Sequence, residues 1–268
     1  MYQNKIMSLE SIKLERFYEK LPICASWIGA RRSGKSLSAY NVIRYLVSRN
    51  AFKRIILFIG NPYCNPELVN LIKKRFDERL IFRDFTESIM QKILDQQEIL
   101  RKQSEENTLL VVWDDCYTGH GRFLKGLNRM FSMGRHFLIS CITLCVSFVD
   151  VCPSARRSLD MVVLYSNINC SDNYFLTKSF LHKSLIQKAV YALKTNSLYT
   201  ALVIETTPIQ KLYLLKFKKK KRDNNDSTLP QVENSNKNDS ENEERLRSPV
   251  KLVSDNLEES SEKTIVVI

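Results

Sequence analysis

Residues 27–36 read Trp-Ile-Gly-Ala-Arg-Arg-Ser-Gly-Lys-Ser, WIGARRSGKS. From Gly29 through Ala30, Arg31, Arg32, Ser33, Gly34 and Lys35 to Ser36, the string fits Gly-x-x-x-x-Gly-Lys-Ser/Thr at every fixed position. The pattern carries chemistry only where a strand leads in and a helix leads out. Both flanks comply. ICASWIG (23–29) is a short apolar run of strand length, and LSAYNVIRYLVSRN (37–50) has its apolar residues at helical spacing. Between them the glycines let the loop wrap so that backbone N–H groups face an anion, and the helix N-terminus adds its partial positive charge. Lys35 is then placed to reach the β- and γ-phosphates and Ser36 to ligate Mg²⁺. The eight residues are the expected ATP site, with ATP and Mg²⁺ as its ligands.

The complementary half is TLLVVWDD (108–115), an unbroken apolar run that ends in two carboxylates. A strand buried on both faces reads this way. An acid at its C-terminal end sits where a Mg²⁺ ligand is needed. Asp114 is the expected metal ligand and Asp115 the expected group that polarises the attacking water, although the roles are interchangeable at this level. Adjacent side chains on a strand point to opposite faces, so both reach one site only through the geometry of the strand's end.

The same alternation runs outward along the chain. RIILFIG (54–60), RLIFRDF (79–85), HFLISCITLCVSF (136–148) and MVVLYSN (161–167) read as strands. LVNLIKKRF (68–76), TESIMQKILDQQEILRKQ (86–103), FLKGLNRMFSMG (123–134) and NYFLTKSFLHKSLIQKAVYAL (173–193) read as helices, the last in one or two pieces. Thr86 is a side-chain cap for its helix. SLYTALVIETT (197–207) and IQKLYLLKF (209–217), joined at Pro208, read as a C-terminal edge hairpin. The fold class is α/β, a P-loop NTPase with a mostly parallel central sheet flanked by helices. The expected boundaries are a lead-in at 1–20, the ATPase domain at 21–217, and a basic block with a disordered acidic tail at 218–268.

Charge divides the same way. Residues 223–268 hold eleven acidic against five basic side chains, so the +12 of the whole chain resolves into +18 over residues 1–222 and −6 in the tail. A body so basic favours a polyanionic partner. The seven cysteines, Cys24, Cys64, Cys116, Cys141, Cys145, Cys152 and Cys170, show no CxxC spacing and lie mostly in apolar runs. They read as reduced core thiols of an intracellular protein. The first twenty residues are too polar for a signal peptide, and no apolar run reaches membrane-spanning length.

Gly134-Arg135-His136 opens the strand with Ile139-Ser140, and Pro153 with Arg156 and Arg157 precedes MVVLYSN. The order of P-loop, strand ending in DD, GRH-x-x-IS strand, proline plus arginine, strand and terminal hairpin resembles the FtsK–HerA superfamily. Within it, the chain is most similar to the genome-packaging ATPases of double-stranded DNA viruses, among them those of poxviruses, giant viruses, virophages and Polinton-like viruses. The resemblance spans residues 20–217.

What the resemblance implies is a ring of subunits, a homo-oligomer of five or six, that hydrolyses ATP and drives double-stranded DNA into a preformed capsid through contacts with capsid or portal proteins. It also implies a polar sensor, often Gln, at the end of the GRH-x-x-IS strand. Val146 stands there, with Ser147 and Thr143 as the nearby polar substitutes. An arginine is expected to stabilise charge on the transferred phosphoryl group. Arg156 or Arg157 would do so across a subunit interface, Arg31 or Arg32 in cis. Arg135 and His136 read as structural. Arg122, Lys125 and Arg129 are candidate contacts to DNA phosphates. KKKKR (218–222) reads as a nuclear import signal, a DNA-binding patch or a charged boundary before the tail; the expected location is the nucleus of an infected host if it is an import signal, otherwise a cytoplasmic virus factory, with association with the virion as a further expectation. A second class of function stays open beside the motor: a DNA-binding packaging factor that uses ATP as an assembly switch with little hydrolysis.

Overall fold

The apolar runs become strands, and the central ones are buried along their whole length. The computed structural model describes residues 9–116, 125–151, 153–166, 170–176, 180–197 and 199–217. Among these, the strands are β1 (Cys24–Ile28), β2 (Arg54–Ile59), β3 (Ile81–Phe82), β4 (Leu109–Asp114), β5 (Ile139–Cys145), β6 (Met161–Leu164), β7 (Thr200–Glu205) and β8 (Lys211–Lys216). They form one eight-stranded sheet in the order β3-β2-β4-β5-β1-β6-β7-β8. β1 to β6 are parallel; β7 and β8 join antiparallel as the expected edge hairpin.

The helices are α1 (Glu15–Tyr18), α2 (Lys35–Ser48), α3 (Pro66–Arg75), α4 (Glu87–Gln103), α5 (Lys125–Met133), α6 (Pro153–Ser158), α7 (Cys170–Phe175) and α8 (Lys183–Thr195). They cover both faces of the sheet, as its apolar strands require. Alternation along β6 shows the two faces directly. Met161 and Val163 pack in a core with Val42, Ile43 and Leu46 of α2. Val162 and Leu164 pack in a second core with Ala189, Ala192 and Leu193 of α8. On the other half of the sheet, Trp113 stacks on Phe58, with centroids 5.8 Å apart, and leans on Phe131 of α5 at 5.4 Å. Thr86 caps α4, its hydroxyl accepting from the Ile89 N–H at 3.3 Å.

Three local readings change. The expected strand at 79–85 shrinks to the two residues of β3, because it is a half-buried edge strand preceded by a turn capped by Asp77. The strand expected from 136 begins at Ile139, after a tight 3₁₀ turn over Gly134–Phe137 and a left-handed residue at Leu138. Part of the lead-in is also pinned to the sheet. The Ile12 N–H donates to the Leu214 carbonyl (2.9 Å) and the Leu214 N–H to the Glu10 carbonyl (2.8 Å), so residues 10–12 cover the open edge of β8.

Strand order decides where the site lies. β5 is inserted between β1 and β4, so the C-terminal ends of the P-loop strand and the DD strand flank the end of β5. In such sheets ligands bind outside the carboxyl ends of the strands.

Candidate nucleotide-binding site

Between Ile28 at the end of β1 and Lys35 at the start of α2, residues 29–34 form a tight loop. Gly29 is required by close approach: a Cβ there would lie 2.9 Å from both Ser33 Oγ and Tyr165 Cβ. Gly34 is required by its backbone, at φ 97°. Arg32 is left-handed too, at φ 64°, and both Arg31 and Arg32 project into solvent. The Ser38 N–H donates to the Gly34 carbonyl at 3.0 Å, so α2 starts at once and its first amides face the loop.

Lys35 is 5% exposed, yet its ammonium lies 2.7 Å from Asp115 Oδ1. That contact joins the two halves of the sequence motif across the sheet. It also shows how adjacent acids share one site. β4 ends at Asp114, and Asp115 takes φ 49°, which turns its side chain off the alternation of the strand. The Asp115 N–H still donates to the Leu144 carbonyl at 3.1 Å, so the turn is anchored to β5.

Asp114 is buried and its Oδ2 accepts from Asn65 Nδ2 at 2.8 Å. Burial raises its pKa above the usual carboxylate range; the Asn65 amide and Lys35 work against that, and the Asp115 charge adds to it. Asn65 is held in turn, since its Oδ1 caps α3 by accepting from the Leu68 N–H at 3.4 Å. With Oδ2 engaged, Asp114 presents one carboxylate oxygen to the site, and the half-buried Ser36 adds a hydroxyl. Among the described residues no cluster of three or more His, Cys, Asp or Glu is able to hold a metal alone. One carboxylate and one hydroxyl fit Mg²⁺ that arrives with substrate phosphates and keeps several waters.

The end of β5 carries no free polar side chain of the expected kind. Val146 is 44% exposed. Ser147 does not substitute for a sensor: its hydroxyl donates to Asp172 Oδ1 at 2.8 Å and caps the following turn. Nor does Thr143, which is buried in the sheet and donates to Ser26 Oγ at 2.8 Å. The neighbouring thiols are inert. Burial pushes Cys145 up to about 12 and Cys116 up to about 12 as well; Cys24, Cys141 and Cys145 are core cysteines as expected, whereas Cys116 is half-buried and Cys64, in the turn before α3, is exposed.

The other candidates lie elsewhere. Arg156 and Arg157 occupy the last turn of α6, just before the N-terminal end of β6. Since β6 runs parallel to β1, this is the opposite end of the sheet from the P-loop. Arg156 lies over the Phe175 ring at 4.7 Å, while Arg157 is exposed; both line a cleft of about 420 Å³ with Thr206 and Thr207. They do not reach the P-loop of their own chain. Arg135 pairs with the buried Asp160, whose other oxygen accepts from the Cys24 N–H at 2.9 Å, so its role is structural as expected; His136 is exposed. Lys125 is exposed and Arg129 half-buried on α5. Arg122, the 218–222 basic block and the acidic tail lie outside the described residues.

Sequence reading missed Asn65. Its signal was present in the turn NPYCNPEL: Asn before Pro is a helix cap followed by the favoured first helical residue. Nothing local said that the cap would also hold Asp114.

A sequence profile described as "Poxvirus A32 protein" matches residues 16–221. The uncharacterized protein 075L of Invertebrate iridescent virus 6 is 28% identical over 186 residues, covering 67% of this chain and 69% of that protein. The fold is similar to the crystal structure of B204, the DNA-packaging ATPase from Sulfolobus turreted icosahedral virus, with TM-score 0.57, 15% identity, and coverage of 75% of this chain and 100% of that one. The genome-packaging NTPase B204 of Sulfolobus turreted icosahedral virus 2, in complex with AMPPCP, superposes with TM-score 0.57 at 16% identity over 74% of this chain and 100% of that one.

Proposed function

Since the chain belongs to the poxvirus A32 protein family, we propose that it is an ATP-hydrolysing motor that moves viral double-stranded DNA into a preformed capsid. The observation that carries this reading is the Lys35–Asp115 contact. It brings the loop that cradles phosphates and the strand that carries the acids to one place, which a fortuitous Gly-x4-Gly-Lys-Ser match does not do.

The geometry suggests an order of events. ATP phosphates attract Lys35 away from Asp115. The freed Asp115 carboxylate accepts a proton from a water that attacks the γ-phosphorus, while the bond to the ADP oxygen breaks. Mg²⁺, when bound with the nucleotide, would supply positive charge against the phosphates. Asp114 and Ser36 hold it, and Asn65 keeps Asp114 in place. An arginine that stabilises the transferred phosphoryl group is worth ~10³–10⁵ in rate in other nucleotidases. Arg156 and Arg157 supply that charge to the site of a neighbouring subunit in a ring, because their own P-loop is at the far end of the sheet. Arg122, Lys125 and Arg129 contact DNA phosphates. The protein works inside the infected cell with capsid or portal proteins as partners.

One observation favours a second reading. With Val146 apolar and both Ser147 and Thr143 engaged, hydrolysis is slow and ATP acts as an assembly switch on a DNA-binding packaging factor.

The test is ATP turnover with and without double-stranded DNA, beside Lys35→Ala and Asp115→Asn. DNA-stimulated turnover abolished by both substitutions supports the motor. Lys35-dependent ATP binding with background turnover in the presence of DNA overturns it in favour of the switch.

A further inference from the structure

The P-loop is braced from behind by a residue outside its motif. Tyr165 follows β6 and is buried. Its N–H donates to the Ile28 carbonyl at 3.1 Å, which sets it beside the start of the loop. A Cβ on Gly29 would come within 2.9 Å of Tyr165 Cβ and 3.1 Å of Cδ2, so the ring abuts Gly29 directly. Its hydroxyl reaches the other end of the loop. It lies 3.3 Å from the Gly34 carbonyl and hydrogen-bonds Ser38 Oγ in the first turn of α2. Ser38 Oγ also lies 3.0 Å from the Lys35 carbonyl. Tyr165 has one proton, which goes to the Gly34 carbonyl, so in the hydrogen bond between the two hydroxyls Ser38 is the donor.

We propose that Tyr165 is a positioning residue for nucleotide binding, which fixes the orientation of the Gly34–Lys35 peptide so that the Lys35 N–H faces the phosphate. The reason is peptide geometry. In a planar trans peptide the C=O of one residue and the N–H of the next point in opposite directions. The Gly34 carbonyl is drawn to Tyr165 and to the Ser38 N–H, away from the loop's interior. The Lys35 N–H is thereby turned inward. Gly34 at φ 97° has wide backbone freedom, so the Tyr165 brace adds to the Ser38 N–H in selecting one orientation. The hydroxyl is a donor at every working pH, since burial pushes Tyr165 up to about 12.

The inference rests on the nucleotide-site reading, and the experiment separates the two. ATP Kd is measured by calorimetry well below the melting temperature for the wild-type chain, Tyr165→Phe, Ser38→Ala and the double variant, with turnover at saturating ATP alongside. A lost hydrogen bond predicts a Kd raised about threefold to tenfold in each single variant. The double variant is no weaker than the weaker single, because both remove one bond. Turnover at saturating ATP stays within about twofold of wild type, which a general loss of structure would not allow. A wild-type Kd in Tyr165→Phe overturns the proposal, as do effects of the two single variants that simply add. If Tyr165→Phe does not fold, Ser38→Ala decides: a wild-type Kd there overturns the proposal. Failure of the wild-type chain to bind ATP overturns the nucleotide-site reading itself, a different result from wild-type binding that ignores Tyr165.

Discussion

The ammonium of Lys35 and a carboxylate oxygen of Asp115 lie 2.7 Å apart, although 80 residues separate them in the chain. Asp115 is the counter-ion of the lysine in the Gly-x4-Gly-Lys-Ser loop. Lys35 is nearly buried and Asp115 half exposed, so an unpaired Lys35 would be costly while an unpaired Asp115 is readily hydrated. On the proposed function, phosphate binding would exchange one partner of Lys35 for another and release the acid for chemistry.

Removing the competitor separates binding from hydrolysis. In Asp115→Asn, ATP affinity is expected to rise about twofold to fivefold, the scale of a partly exposed ion pair. Turnover falls by about 10²–10⁴, the scale of a lost general base. Lys35→Ala loses binding itself. Nucleotide titration beside steady-state turnover checks both, and an Asp115→Asn variant that binds ATP more weakly would count against this exchange.

Asn65 donates to Asp114 Oδ2 at 2.8 Å. Partners that orient a metal ligand typically account for 10–100-fold in metal affinity. Asn65→Ala is therefore expected to raise the Mg²⁺ concentration needed for half-maximal turnover by about 10–100-fold, while nucleotide binding in EDTA stays unchanged. A Mg²⁺ titration of turnover reads the first, and calorimetry the second.

Val146 is the place to test whether hydrolysis is held back. Its side chain is 44% exposed at the end of β5, so a polar replacement does not disturb the core. Val146→Gln is expected to raise turnover about tenfold or more if a γ-phosphate donor is what the site lacks, a modest share of what one placed donor contributes elsewhere. An unchanged rate would show that the site is not limited there.

Away from the site, buried Glu205 is paired with Arg16 and Lys20, each at 2.7 Å. Burial pushes its pKa up, but the hydrogen bonds from Arg16 and Lys20 outweigh burial and leave it below the usual value. A depressed folded pKa contributes stability above the unfolded value of about 4.3, and that stability is lost as pH falls through the folded value. The double substitution Arg16→Ala, Lys20→Ala removes both cationic partners of this carboxylate and is expected to cost about 1–3 kcal/mol at pH 7. The difference from wild type shrinks as pH falls from the unfolded value of about 4.3 through the lower folded value of wild-type Glu205. Urea unfolding across pH 3–7 measures it.

Much of this was legible before folding. A motif of fixed spacing between an apolar run and a helical run specifies a loop, a strand end and a helix start within about 30 residues, because backbone freedom, periodicity and capping act over that range. The P-loop, the DD strand, the Thr86 cap and the terminal hairpin were read this way. Edge strands were read less well. Residues 79–85 have the composition of a strand, but β3 has a neighbour on one side only and half-buried side chains, so pairing stops after two residues.

Sequence by itself determined the two halves of the candidate site: which loop has the Gly-x4-Gly-Lys-Ser pattern and which strand ends in acids. Tertiary structure alone decided who serves that site. Asn65 reaches Asp114 across 49 residues and Tyr165 reaches Gly34 across 131, while Arg156 and Arg157, closer in sequence to the site than Tyr165 is to Gly34, lie at the wrong end of their own sheet. The physical reason is the strand order β4-β5-β1-β6. Fully buried parallel strands are all continuous apolar runs and are nearly interchangeable by pattern, so neighbours are chosen by packing of the whole sheet, and the partners at the strand ends follow from that choice.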